Sequence, residues 1–150
     1  VIISTSIWGD IEVNEKEVYR FEKGIPGFEE TTEFVLLDQD EAPFYYLQSL
    51  QQKELSFVLV DPFIFYPEYE FELPDSETEE LEIESNLVVR SILTLHEQVE
   101  SSTINLLAPL VFNPDNRKAK QVVLHQSPYS TKHSLQPTKE DETIRSKEGE

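Results

Sequence analysis

Carboxylates dominate the side chains that could do chemistry in this 150-residue chain, with 30 acidic residues against 12 basic ones. A pair of acids can hydrolyse a glycoside when one is held protonated and the other ionised. That needs isolation and partial burial, which push two pKa values apart. The acids here are placed otherwise. Glu68, Glu70 and Glu72 alternate with Tyr69, Phe71 and Leu73, as in a strand with one wet face. Glu77, Glu79, Glu80, Glu82 and Glu84 crowd a short helical stretch, where water screens them. Histidine occurs at 96, 125 and 133, never at the i, i+4 spacing of a helical zinc pair, and cysteine is absent. There is no Gly-x-Ser-x-Gly and no glycine-rich phosphate loop. No nucleophile, base and orienting group can be named together. The sequence predicts neither an enzyme nor a metal or cofactor site; a carboxylate-dependent hydrolase is the least favoured alternative.

The formal charge is −18. Nucleic-acid affinity comes from lysine and arginine releasing counterions, so direct RNA or DNA binding is not expected. An acidic surface suits a basic protein through steered association. The block 68–84 holds nine carboxylates and no basic residue. It reads either as a solubilising face or as a contact that sets negative potential beside a partner's RNA-binding surface. Arg117, Lys118, Lys120 and Lys132 gather further on, and predict a charge dipole rather than a nucleic-acid patch.

Three apolar stretches could serve as anchors or as core. Asp61-Pro62-Phe63-Ile64-Phe65-Tyr66-Pro67 places four large side chains between two prolines; alternation would bury 63 and 65 and expose 64 and 66, or the reverse. In Leu106-Leu107-Ala108-Pro109-Leu110, Pro109 lacks an N–H and predicts a sheet edge or a bulge. The third is Lys23-Gly24-Ile25-Pro26-Gly27-Phe28-Glu29, where two glycines and a proline hold Ile25 and Phe28 in a defined loop. The candidate partner-binding residues are Ile64, Tyr66, Leu106 and Pro109 as apolar contacts, with Glu68, Glu70 and Glu72 as steering charges.

The elements that must position these residues read as mainly β. A hairpin runs from Ile3–Trp8 to Ile11–Val13 about a turn at Gly9-Asp10, followed by strands at 18–21, 33–38, 44–50, 55–60, 87–95, 106–112 and 118–125. Little room is left for crossover helices, so the sheet is expected to be antiparallel and either barrel-like or strongly bent. One short surface helix is predicted over 76–84, with Ser76 and Glu79 as a capping box, and a second from Thr138. The expected organisation is a single β domain over 1–128 and a polar tail over 129–150, part of it helical. No apolar run reaches the length of a membrane span, the N-terminus lacks the pattern of a secretory signal, and no heptad seam argues for an obligate oligomer. A cytoplasmic protein, monomeric when free, is the expectation.

The Lys23–Glu29 loop after an N-terminal hairpin resembles the FliW family of bacterial flagellar assembly factors. Two further blocks agree, Lys53-Glu54-Leu55-Ser56-Phe57 leading into Asp61-Pro62-Phe63-Ile64-Phe65, and Asn105–Val111 followed by Asn113 and Lys120-Gln121-Val122-Val123-Leu124. They stand in the family's order across roughly residues 1–128. The resemblance implies a protein without enzymatic activity and with two partners. One is flagellin, bound before export; the other is CsrA, a dimeric RNA-binding repressor of flagellin translation. It implies a partner switch in which flagellin displaces CsrA. An export chaperone that binds flagellin alone is the alternative.

Overall fold

The computed structural model describes residues 2–37 and 43–135. In chain order it contains β1 (Ile2–Thr5), β2 (Gly9–Glu12), β3 (Val18–Arg20), β4 (Glu33–Leu37), β5 (Phe44–Ser49), β6 (Ser56–Val60), α1 (Pro62–Phe65), α2 (Asp75–Glu80), β7 (Val88–Thr94), β8 (Thr103–Ile104), β9 (Leu110–Asn113), β10 (Lys118–Gln121) and β11 (His133–Ser134). Seven strands close into a barrel in the order β7-β6-β5-β4-β3-β10-β9, with β9 returning to β7 through Val88↔Phe112 and Arg90↔Leu110. The mainly β, barrel-like expectation holds. The wholly antiparallel one does not, because β10 runs parallel to β3 at Lys118↔Arg20. Seven strands cannot alternate direction around a closed ring without one like-directed pair. The ring meets itself at this seam, where the Arg20 N–H donates to the Arg117 carbonyl at 2.8 Å.

The barrel interior is aromatic. Phe21, Phe34 and Phe112 are fully buried, and Phe21 meets Phe34 and Phe112 edge-on at 5.3 and 5.8 Å between ring centres. Such pairs add about 1 kcal/mol beyond the area they bury. A second core lies outside the barrel wall, where Tyr69, Leu81, Leu93, Ile104, Leu106, Val122 and Leu135 pack together under α1 and α2. A third joins the β1–β2 hairpin to the barrel through Ile3, Val13, Val35 and Leu37, with Trp8 edge-on to Tyr46.

Several boundaries move. The hairpin turns at Ser6–Trp8 rather than Gly9-Asp10, since Thr5 pairs with Gly9. The Thr5 hydroxyl accepts from the Trp8 N–H and donates to the Gly9 carbonyl, both at 2.8 Å. Gly9, at φ +68°, takes the left-handed position that closes such a turn. The Asp61–Pro67 stretch does not alternate as expected: it opens with a helical turn that leaves both Phe63 and Ile64 exposed. The Asp61 carboxylate accepts from the Phe63 N–H at 3.0 Å and Pro62 takes the first helical position. Helix α2 is shorter than 76–84, and its N-cap is Pro74 with no side-chain bond, so the expected capping box does not form. Residues 67–68 form a turn, closed by the Tyr69 N–H donating to Tyr66 O at 2.9 Å, and 69–74 join no ladder. Their alternation survives: Tyr69 is buried, Phe71 and Leu73 are half-buried, and Glu68, Glu70 and Glu72 are exposed.

The expected strand over 106–112 is broken by a loop at 105–109. Asn105 Oδ1 accepts from the Leu107 and Ala108 N–H groups at 3.1 and 2.9 Å and turns the chain there. Pairing with 122–124 nevertheless continues, through Val122 N–H to Pro109 O and Leu124 N–H to Leu107 O. The expected tail begins too early at 129. Tyr129 stacks edge-on against Tyr69 at 4.7 Å, Leu135 is buried, and β11 pairs with β8. The helix expected from Thr138 lies outside the described residues.

Candidate partner-binding surface

The Lys23–Glu29 loop is a scaffold with one exposed tip. Ile25 O accepts from the Phe28 N–H at 2.6 Å, across a turn with Pro26 second and Gly27 third at φ +91°, the arrangement of a type II turn. Ile25 is buried, while Phe28 stays exposed and lies edge-on to Phe57 at 5.6 Å. Gly24 could carry no side chain, since a Cβ there would sit 2.5 Å from Glu29 Cα. Glu29 closes the loop by accepting from the Gly27 N–H, which holds its carboxyl below the ordinary range.

The seven residues singled out for partner binding separate into two groups. Leu106 is wholly inside the second core and Pro109 is buried in the 105–109 loop. Neither presents its side chain to a partner, because Asn105 folds that loop inward against Tyr69. The other five stay together on one continuous segment. Ile64 is 56% exposed at the end of α1. Tyr66 is half-buried, its hydroxyl donating to Ser134 O at 2.5 Å and its ring 5.5 Å from His133. Glu68, Glu70 and Glu72 point outward along 67–74. Tyr69 anchors the segment from beneath: its hydroxyl donates to Leu106 O at 2.9 Å, and burial raises its pKa above the ordinary tyrosine value.

Tertiary structure divides the acidic block 68–84. On α2, Lys120 Nζ sits 2.7 Å from Glu77 and 2.6 Å from Glu80, and Lys23 reaches Glu80 at 2.9 Å. Lys118 lies 2.8 Å from Glu82. These lysines hold Glu80 and Glu82 below the ordinary carboxylate range. Burial opposes the charge on Lys120, yet the hydrogen bonds it donates to Glu77 and Glu80 carry its pKa above the usual lysine value. The helix end is fixed as well: Asn113 and Asn116 donate to the Leu81 carbonyl at 2.9 and 3.0 Å. The dipole expected from Arg117, Lys118, Lys120 and Lys132 is correspondingly reduced, since the β9–β10 hairpin lies alongside α2 and two of the four charges meet carboxylates there. Arg117 stacks over the Tyr19 ring at 5.0 Å. Glu68, Glu70 and Glu72 form no ion pair among the described residues, and their charge stays available.

Sequence reasoning singled out neither Phe63 nor Leu87 as a contact, exposed at 41% and 44%. Phe63 stands on α1 with its ring 5.6 Å from Tyr69. The Asp-Pro pair before it was the available signal for a helical turn, and with it for Phe63 facing outward. Leu87 precedes β7 and carried no such signal. Both line an open cleft of about 320 Å³ with Glu70, Phe71 and Leu73. Among the described residues no group of acids and histidines could hold a metal ion, and no helix is long and apolar enough to cross a membrane.

Comparison with known proteins agrees with this architecture. The family model described as FliW protein matches residues 2–135. The chain is similar to the flagellar assembly factor FliW of Geobacillus kaustophilus (strain HTA426), with 46% identity over 139 residues, 91% of this chain and 96% of that one. It is 46% identical over 138 residues to that of Bacillus subtilis (strain 168), covering 90% and 96%. A crystal structure of the flagellar assembly factor FliW superposes with a TM-score of 0.87 at 44% identity, covering 93% of this chain and 99% of the other. The match runs through the Lys23–Glu29 loop and the acidic segment to β11 and residue 135, and the chain belongs to the FliW family of flagellar assembly factors.

Proposed function

We propose that this chain is a cytoplasmic partner-switching regulator that works by protein–protein binding and catalyses no reaction. It binds flagellin before export and binds the translational repressor CsrA. Flagellin that accumulates occupies it and frees CsrA to repress; flagellin that is exported returns it to CsrA. One observation carries the reading: Glu68, Glu70 and Glu72 form no ion pair among the described residues and share a segment with exposed Ile64, in a chain of charge −18. A surface of this kind repels phosphate and attracts a basic protein. Negative potential set beside an RNA-binding face weakens RNA there without covering it, so antagonism is non-competitive. The chain itself binds no nucleic acid.

Calorimetric titration with CsrA, repeated after saturation with flagellin, tests the reading. Tight binding to CsrA that flagellin abolishes supports the switch. Binding to flagellin alone reduces the protein to an export chaperone. In an RNA-binding assay, the apparent affinity of CsrA should fall to a plateau as this protein is added; a fall without a plateau means simple competition.

A further inference from the structure

From the cleft formed by Phe63, Phe71, Leu73 and Leu87, we infer a docking site for a lysine- or arginine-rich protein segment that inserts one apolar side chain. The inference rests on the reading of this chain as a protein-binding module and locates the point of attachment. The cleft holds about 320 Å³, near the lower limit for small-molecule pockets and enough for one or two large side chains. Its floor is barrel wall, Val89 and Val111, so it is preformed. Its lining is apolar apart from Glu70. It lacks the several convergent polar groups by which a small polar ligand is oriented.

Charge complementarity selects the occupant. From residue 54 to residue 89 the chain has no lysine, arginine or histidine. The carboxylates on α2 that face inward are neutralised by Lys23 and Lys120. Glu68, Glu70 and Glu72 are not, and Glu70 stands at the cleft itself. Its backbone N–H is fixed by the Tyr129 hydroxyl at 3.1 Å, which holds the acidic rim in register with the apolar floor. An apolar pocket rimmed by unpaired carboxylates rejects acidic segments, and favours a segment whose apolar anchor is flanked by cations.

The test uses the full chain and a labelled peptide of about 15 residues built from lysine and leucine with one phenylalanine, a length that spans the rim as a helix. Two control peptides replace its apolar residues by serine or its lysines by glutamate. The parent chain should bind the first peptide with marked salt dependence and bind neither control. Phe63→Ser and Leu87→Ser, both at exposed positions, should weaken binding about tenfold or more with unchanged circular dichroism. Equal binding by parent and variants overturns the proposal, as does capture of the glutamate peptide. A dimer that Leu87→Ser dissociates would make a second copy the occupant and overturn it too. So would a synthetic 136–150 peptide, which carries Lys139, Ile144 and Arg145, if it bound the cleft in preference to the lysine–leucine peptide. The same variants titrated with CsrA and flagellin keep the two readings apart. Undiminished binding of both proteins removes the cleft and leaves the switch; peptide binding by a chain that binds neither protein removes the switch and leaves the cleft.

Discussion

The Tyr69 hydroxyl donates to the Leu106 carbonyl at 2.9 Å, and so fastens the acidic segment to the loop that leads into β9. The bond is buried and joins residues 37 positions apart, which no local pattern relates. Tyr69→Phe leaves the carbonyl unsatisfied in the core and should cost about 1–3 kcal/mol in denaturant unfolding. Because burial raises the Tyr69 pKa, its folded pKa lies above its unfolded one. The stability that depends on a protonated phenol here is therefore complete below the ordinary value of 10.0 and is lost as pH rises past it. Ultraviolet titration of the variant should lack one late-ionising phenol that the parent shows.

Lys120 pins α2 to β10. Lys120→Ala leaves Glu77 and Glu80 facing each other without a cation and should destabilise by about 1–2 kcal/mol, between the values for exposed and buried pairs. Glu80 has a lowered pKa, so its contribution is present above the ordinary 4.5 and is lost as pH falls through the folded value. Lys120 has a raised pKa, so its contribution is present below 10.5 and is lost as pH climbs through the folded value. Protection of the amides over residues 75–82, measured relative to their intrinsic exchange at each pH, should therefore stay high between those limits and fall outside them. Protection indifferent to pH across the acidic limit would refute the pin.

Gly24 and Gly27 share a loop and should respond differently to alanine. Both have positive φ, but only at Gly24 would a Cβ strike backbone, at 2.5 Å from Glu29. Gly27→Ala should cost about 1 kcal/mol, the left-handed penalty alone. Gly24→Ala should cost clearly more, about 2 kcal/mol or above, because the Glu29 backbone must move. Thermal unfolding of the two variants side by side checks the ranking.

Leu106→Ala and Ile64→Ala should separate stability from binding. Leu106 is fully buried, so its truncation opens a cavity and should cost about 2–5 kcal/mol of stability. Ile64 is more than half exposed, and its truncation should leave stability within about 0.5 kcal/mol. If Ile64 is desolvated by a partner, the same change should cost about 2 kcal/mol of binding, seen by calorimetry.

Replacing Glu68, Glu70 and Glu72 together by glutamine should slow association with a basic partner and flatten its salt dependence, with little change in dissociation rate. Stopped-flow association at two ionic strengths reads this directly. A change confined to the dissociation rate would place these carboxylates inside the contact rather than at its rim.

Composition and short-range pattern alone determined a β-rich chain with no evident catalytic set and a surface suited to a basic partner. Strand positions were legible because period-two alternation and turn residues act within a few positions. The register of β5 against β4 and β6, and the closure of β9 on β7, were not legible, because pairing is decided by which distant strand completes a common core. The parallel β3–β10 seam follows from an odd-numbered ring, and strand number is a property of the whole sheet. The site divided in the same way. The exposure of Glu68, Glu70 and Glu72 was legible because the amphipathic alternation of 68–73 survives without a ladder. Leu106 and Pro109 were misplaced, because an apolar run reads alike whether it is core or contact; only the bond from Tyr69 and the turn at Asn105 decided that it is core. Phe63 and Leu87 escaped notice because each is a single exposed residue. What makes them a surface is their meeting across the barrel wall, and tertiary packing alone brings them there.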